Sequence, residues 1–149
     1  MTNTILNKVS LSKNTHETRL CIDKWINDYK NGSYHWVVLL KETGDLIGAI
    51  SAINVNEVHN NVEIAYCYAS KYWGCGYATE ALRKVLEFFL LDCDVYLVEA
   101  DYISDNLASG RVMEKAGMKK DGVLRSRRIN KVTGKYNDII CYSIKKDEL

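Results

Sequence analysis

Two glycines one residue apart, Gly74 and Gly76, separate a stretch with strand periodicity from a stretch with helical periodicity. Val62, Ile64, Tyr66 and Tyr68 alternate with Glu63, Ala65, Cys67 and Ala69, the period of a β-strand. Ala78, Ala81, Leu82, Val85, Leu86 and Phe89 then recur at spacings of one, three and four, the apolar stripe of a helix. A turn of small residues at a helix start points the N–H groups of Gly74, Gly76, Tyr77 and Ala78 outward together. Those donors are unpaired and sit at the positive end of the helix dipole, so the turn suits a phosphate or diphosphate. It is neither of the commoner phosphate loops. Thr79 stands where a dinucleotide fingerprint needs a third Gly or Ala, and the Gly-Lys-Ser/Thr of a Walker loop is absent. A tight strand-to-helix connection without a ligand is the plain alternative for the same residues.

Other chemistries find less support. The five cysteines, Cys21, Cys67, Cys75, Cys93 and Cys141, are odd in number and contain no Cys-x-x-Cys pair. That pattern argues against a zinc site and a disulfide framework, and for a reducing, cytoplasmic setting. His16, His35 and His59 share no ligand spacing with each other or with the cysteines, so no metal is expected. Lys and Arg total 20 against 19 Asp and Glu, a net charge of +1 that gives no general attraction to nucleic acid or membrane. The run Arg125-Ser126-Arg127-Arg128, with Lys119 and Lys120 near it, reads as a solvated strand end. The first thirty residues hold no apolar run of signal-peptide length, and no segment approaches the roughly 20 apolar residues of a membrane span. The final Lys146-Asp147-Glu148-Leu149 spells a lumenal retention signal, which acts only after membrane entry and here reads as a charged tail.

The elements that must position the glycine turn follow from the same periodicities. The 149 residues suit a single domain, 1–149, with one core. Asn14 and Glu17 form a capping box for a helix over about 15–30, carrying Ile22, Trp25, Ile26 and Tyr29 and ending at Asn31-Gly32. Residues 35–40 and 46–53 read as a hairpin around Glu42-Thr43-Gly44-Asp45. A strand over 95–100 is followed by Ser104-Asp105-Asn106 as the cap of a helix through Ala116. Gly117 is its left-handed C′ residue, with Met118 folding back. Strands over 121–129 and 136–145 flank a turn at 130–135. The sum is a layered α/β (α+β) domain without linker, repeat or proline, so no slow X-Pro step is expected in its folding.

Tyr72-Trp73-Gly74-Cys75-Gly76-Tyr77-Ala78-Thr79-Glu80-Ala81-Leu82 resembles the pyrophosphate-binding segment of the GNAT superfamily of acyl-CoA-dependent N-acetyltransferases. It is most similar to the RimJ/RimL-type branch, which acetylates N-termini of ribosomal proteins. Asn106-Leu107-Ala108-Ser109-Gly110-Arg111-Val112-Met113-Glu114-Lys115-Ala116-Gly117-Met118 resembles the block that follows in that branch. Gly122-Val123-Leu124-Arg125, Gly134-Lys135-Tyr136-Asn137-Asp138 and Tyr142 match its ending. The resemblance covers roughly 15–145. It implies a GNAT-like fold: a central, mostly antiparallel mixed sheet with helices on both faces and two parallel strands splayed around the cofactor.

The resemblance further implies acetyl-CoA as cofactor and an amine as acceptor, most naturally a protein N-terminus. Polyamines, aminoglycosides and amino acids are the small-molecule alternatives, and a non-catalytic acyl-CoA-binding module is a third reading. By the same token Ala65, Tyr66, Cys67, Tyr68 and Ala69 would face pantetheine with their backbones. Lys71, Tyr72, Trp73, Gly74, Cys75, Gly76, Tyr77, Ala78 and Thr79 would hold the pyrophosphate, with Trp73 also a candidate core anchor. Asn106 would contact the cofactor and cap its helix. Ser109 would protonate the leaving thiolate, and Glu63 would accept the amine proton. Asp138 and Tyr142 would line the acceptor cleft, either being able to replace Glu63. Cys75 departs from the branch, which carries a basic residue there. Against that branch the region before the first hairpin would be shortened: residues 1–13 could supply a short strand from Ile5 to Leu11, and otherwise part of the acceptor wall would be absent or come from a second subunit of a homodimer.

Overall fold

The computed structural model describes residues 34–149; the helix expected over 15–30 and the strand expected at Ile5 to Leu11 lie outside them. The chain forms β1 (His35–Leu39), β2 (Leu46–Asn56), β3 (Asn61–Tyr68), α1 (Tyr77–Glu87), β4 (Leu97–Ile103), α2 (Leu107–Lys115), β5 (Lys119–Ile129) and β6 (Tyr136–Lys145). One mixed sheet runs β1-β2-β3-β4-β6-β5, antiparallel throughout except where β3 meets β4. The sheet is parallel there because α1 carries the chain from β3 back to the start of β4.

Strand alternation decides where the core lies. Val62 and Ile64 on β3, Val98 and Ala100 on β4, and Tyr142 and Ile144 on β6 point to one face and are buried there with Leu82, Val85, Leu86 and Met113 of the two helices. Both described helices therefore cover the same face of the sheet. Of the cover expected on two faces, the described residues supply one.

After Glu87 the helix widens into a π turn over Phe88–Asp92, with Cys93 N–H donating to the Phe88 carbonyl. The consecutive rings of Phe88 and Phe89 both meet Trp36 edge-on, each at a centroid distance of 5.5 Å. α2 ends as its sequence suggests. Gly117 N–H donates to Glu114 O and Met118 N–H to Met113 O, both at 3.0 Å, with Gly117 at φ +97°. The tail Lys146–Glu148 is docked, since Glu148 pairs with Lys119 at 2.8 Å and accepts the Lys145 N–H at 3.0 Å.

Two glycines set how closely the layers approach. A Cβ on Gly110 would lie 2.6 Å from Tyr102 Cζ, so glycine lets α2 lie directly on β4. A Cβ on Gly48 would lie 2.5 Å from the Cys67 carbonyl oxygen, a backbone atom that cannot turn aside. Gly48→Ala is accordingly expected to lower stability by about 1–3 kcal/mol through overpacking. Urea unfolding of the full chain checks it, and an unchanged midpoint would show that β2 and β3 have room to separate.

Candidate functional site

β3 and β4 are paired only at Asn61↔Leu97, Val62↔Val98 and Glu63↔Glu99. Beyond that point β3 stays bound to β2 as far as Tyr68, and β4 to β6 as far as Ile103, so each strand follows its outer neighbour and a wedge opens between them. The cause lies one strand over. In β2 the register slips between Ala52↔Ile64 and Asn54↔Glu63, leaving Ile53 as an extra residue beside the place where β3 leaves β4. Such a bulge bends and twists a strand pair locally. Along the wedge the inner edges of β3 and β4 keep backbone N–H and C=O groups that no strand pairs with.

A cleft of about 500 Å³ follows the wedge on the helix side. Its walls are Tyr66, Cys67 and Tyr68 of β3, the turn residues Tyr72, Trp73, Gly74 and Gly76, the start of α1 at Ala78 and Thr79, and one side of α2. Gly74 (φ +77°) and Gly76 (φ +83°) hold left-handed conformations, and a Cβ on either would meet nothing within 4 Å. Backbone handedness, not crowding, therefore demands glycine at both. The first N–H of α1 with an acceptor is that of Glu80, donating to Gly76 O at 3.0 Å; no side chain caps the helix. Among the described residues no acceptor meets the donors of Gly76, Tyr77, Ala78 and Thr79 at the cleft end, an arrangement that suits an anion.

Trp73 is not the core anchor considered from sequence. It is 55% exposed and its indole N–H donates to Tyr68 O at 3.0 Å, so it braces the turn from outside, because the turn passes over the end of β3 and not into the core. Lys71 lies over the Tyr72 ring, its ammonium 4.8 Å from the centroid, and does not line the cleft. Cys75 is exposed, Tyr77 turns toward Tyr72, and neither these two nor Ala65 and Ala69 line the cleft.

Positive charge reaches the cleft by another route. Arg111 and Lys115 of α2 line it with Ala108, Ser109 and Val112. The sequence reading missed them, although 108, 111, 112 and 115 share one helical stripe, which was the available signal. The Arg83 guanidinium donates to Lys115 O at 2.6 Å and ties the two helices at that end.

Asn106 and Ser109 come together as expected: Asn106 is the cap of α2, its side-chain oxygen accepting the Ser109 N–H at 3.4 Å, and both line the cleft. Across it, Tyr66 O–H donates to Ser109 O at 2.8 Å, clamping β3 to the first turn of α2. Burial holds the Tyr66 and Tyr68 phenols well above the usual tyrosine range, so both are neutral at pH 7. The Tyr68 hydroxyl is buried without a hydrogen-bond partner.

The opposite face of the sheet is acidic where the strands part. Glu63 and Glu99 are register partners at the last β3–β4 pair, and Asp101 follows on β4. Burial first, then the charges of Asp101 and Glu99, push the Glu63 carboxyl above its ordinary value. Tyr142 and Asp138 do not join this group. Tyr142 is 4% exposed and its hydroxyl donates to Glu114 at 2.7 Å, because its place in β6 points it beneath α2. The Asp138 carboxylate is occupied by the Ser126 N–H at 2.8 Å. Neither lines the cleft. Among the described residues no group of three or more His, Cys, Asp or Glu is arranged to hold a metal ion.

Comparison with known proteins places this geometry in a family. A family model described as an acetyltransferase (GNAT) domain matches residues 4–119. An uncharacterized N-acetyltransferase, p20 of Bacillus licheniformis, is 26% identical over 74% of this chain and 61% of its own length. The uncharacterized N-acetyltransferase YoaA of Bacillus subtilis is 32% identical over 60% of this chain and 51% of its own. The chain thus spans between about half and two-thirds of the length of these relatives. A ribosomal-protein-S5-alanine acetyltransferase from Vibrio fischeri superposes with a TM-score of 0.76 at 21% identity, over 91% of this chain and 78% of that one. A Vibrio cholerae spermidine N-acetyltransferase SpeG chimera gives a TM-score of 0.72 at 21% identity, over 88% and 76%. At those identities the likeness is one of fold.

Two outcomes test the site as built. Gly76→Ala should cost about 1–2 kcal/mol in denaturant unfolding although its new methyl touches nothing, because the cost is one of handedness. Glu63→Gln should stabilise the protein at pH 7. A raised carboxyl pKa means the native state binds the proton more tightly than the unfolded chain. Stability is therefore lost as pH rises through the window between the unfolded and folded values, and stays lost above it. The gain from Gln should vanish as pH falls below about 4.3, the unfolded value. Thermal melts of both proteins from pH 4 to 7.5 check it, and a gain independent of pH would contradict the charge argument.

Proposed function

We propose that this chain, which belongs to the GNAT acetyltransferase family, transfers an acetyl group from acetyl-CoA to a primary amine, with a protein N-terminal α-amine as acceptor in the manner of the RimJ/RimL-type branch. The observation that carries the reading is the conjunction of open N–H donors at the start of α1 with parted strands leading away from them. The residues present fit the cofactor. The amides of Gly76, Tyr77, Ala78 and Thr79 suit its diphosphate, Arg111 and Lys115 add the charge that Cys75 lacks, and the unpaired edges of β3 and β4 match the amides of pantetheine. Bound acetyl-CoA supplies an activated thioester, open to direct attack by a neutral amine held close to it.

The chain's own groups then have distinct tasks. Ser109, on the first turn of α2, would offer a hydroxyl proton to the leaving thiolate; Glu63, on the far face where the strands part, would take the proton of the amine, directly or through water. The two stand on opposite sides of the sheet, as a donor for the leaving group and an acceptor for the attacking one require. A raised Glu63 pKa brings it nearer the proton it must accept. An α-amine with pKa near ~7.7–8 is about a tenth neutral at pH 7, whereas lysine near ~10.4 is neutral in about one part in a few thousand. The α-amine is the easier nucleophile, and the structural likeness to a ribosomal-protein-alanine acetyltransferase supports that choice.

A second reading has its own observation. Glu63, Glu99 and Asp101 gather carboxylates where the acceptor would approach, which suits a multiply charged amine such as a polyamine, and a spermidine N-acetyltransferase shares the fold. Thiol release from acetyl-CoA in the presence of peptides with free α-amines, and separately of spermidine, distinguishes them. Binding of CoA without turnover on either would favour a non-catalytic module. Ser109→Ala should lower kcat about 10²-fold while leaving CoA affinity within about twofold; equal rates would remove Ser109 from the mechanism. Gly76→Val should weaken CoA binding about tenfold by forcing the turn out of its left-handed conformation, and calorimetry showing unchanged affinity would defeat the diphosphate assignment.

A further inference from the structure

We propose that Asp138 and Asn137 of β6 are positioning residues: they hold the loop between β4 and α2 so that Asn106 and Ser109 face the cleft. The hairpin of β5 and β6 reaches the site through this loop, and every link is a hydrogen bond of ordinary length. Leu124 pairs with Ile139 and Arg128 with Asn137, so three residues of β5, 125–127, stand opposite Asp138 alone. In the middle of that bulge Ser126 adopts φ +53°, uncommon for a residue with a side chain. The Asp138 carboxylate secures it by accepting the Ser126 N–H at 2.8 Å, a charge-assisted bond.

The backbone of the same residue faces the other way. Ser104 N–H donates to Asp138 O at 2.9 Å, and Asp138 N–H donates to Ser104 Oγ at 3.2 Å. One position further along each segment, Asn137 Nδ2 donates to Asp105 Oδ2 at 3.1 Å. Ser104 and Asp105 are the two residues before Asn106, whose own N–H returns to Ile103 O at 2.8 Å. The loop is therefore fixed to the end of β4 at one side and to β6 at the other. The cap it delivers needs that support, since the Asn106 to Ser109 N–H bond is long at 3.4 Å. Asp138 thus serves the site through its backbone bonds to Ser104, while its Oδ1 holds the Ser126 N–H of the bulge.

The proposal rests on the acetyl-transfer reading only for its functional readout, and the test separates the two. In the full chain, Asn137→Asp sets two carboxylates against each other, while the double exchange Asp105→Asn with Asn137→Asp restores an amide–carboxylate pair in the reverse direction. Asn137→Asp should raise the CoA dissociation constant in calorimetry, and KM for acetyl-CoA, by about three- to tenfold, the scale of one lost hydrogen bond. It should leave Tm unchanged, speed hydrogen exchange at the Ser109 amide, and be reversed in all respects by the double exchange. Ser104→Ala, which deletes only the hydroxyl, should speed the same amide and guards against misfolding of the charged variant. Absence of CoA binding in the parent would overturn the cofactor reading, with Ser109 exchange still deciding the positioning role. Unchanged Ser109 exchange in both variants, or a loss of affinity that the double exchange fails to restore, would overturn the proposal.

Discussion

One extra residue in β2, Ile53, coincides with the point at which β3 lets go of β4, and the rest of the site is arranged around that release. A fully paired sheet would have its central backbone groups bonded and its surface closed. Here the two strands are each held by an outer neighbour, so the inner edges stay open without the sheet coming apart. The parted edges belong to strands in the interior of the sheet order, not to its two outer strands. α1 and α2 then bracket the wedge from one face, and the Glu63–Glu99 pair marks its closed end on the other.

The charge placement follows from this geometry. At the α1 end the donors are main-chain amides, which carry partial positive charge without the solvation demand of a lysine. Arg111 and Lys115 approach from the second helix, so the absence of a basic side chain at Cys75 does not leave the cleft without cations. On the far face burial, and after it the charges of Asp101 and Glu99, raise the proton affinity of Glu63, an arrangement that folding alone does not favour. On the proposed reading, stability is given up where a cationic acceptor and a proton acceptor would be wanted, which is where strain of this kind is expected to collect.

The helices show how local signals and packing divide the work. Asn106 and Gly117 mark both ends of α2 because capping is a matter of a few neighbouring residues. Gly44 and Gly134 likewise sit at left-handed positions in two of the three hairpin turns, each in a Lys-x-Thr-Gly stretch with the same backbone bonds. Trp73 behaved otherwise: its size suggested the core, yet the turn it belongs to lies over the end of a strand and leaves it half in water. Side-chain hydrophobicity states a preference, and only the path of the chain says whether the preference can be met.

From its residues alone the chain declared the strand–glycine turn–helix unit, the order of the later elements and the meeting of Asn106 with Ser109, because each depends on periodicity, handedness or capping within about a dozen residues. The parting of β3 from β4, the arrival of Arg111 and Lys115, the side-by-side carboxylates and the anchoring role of Asp138 came only with the tertiary structure. Each joins residues far apart in the chain, and strand register decides which side chain faces which wall. A shift of one residue in β6 would exchange Tyr142 for its neighbours on the helix face. Local physics could name the groups able to act; register and twist chose which of them met.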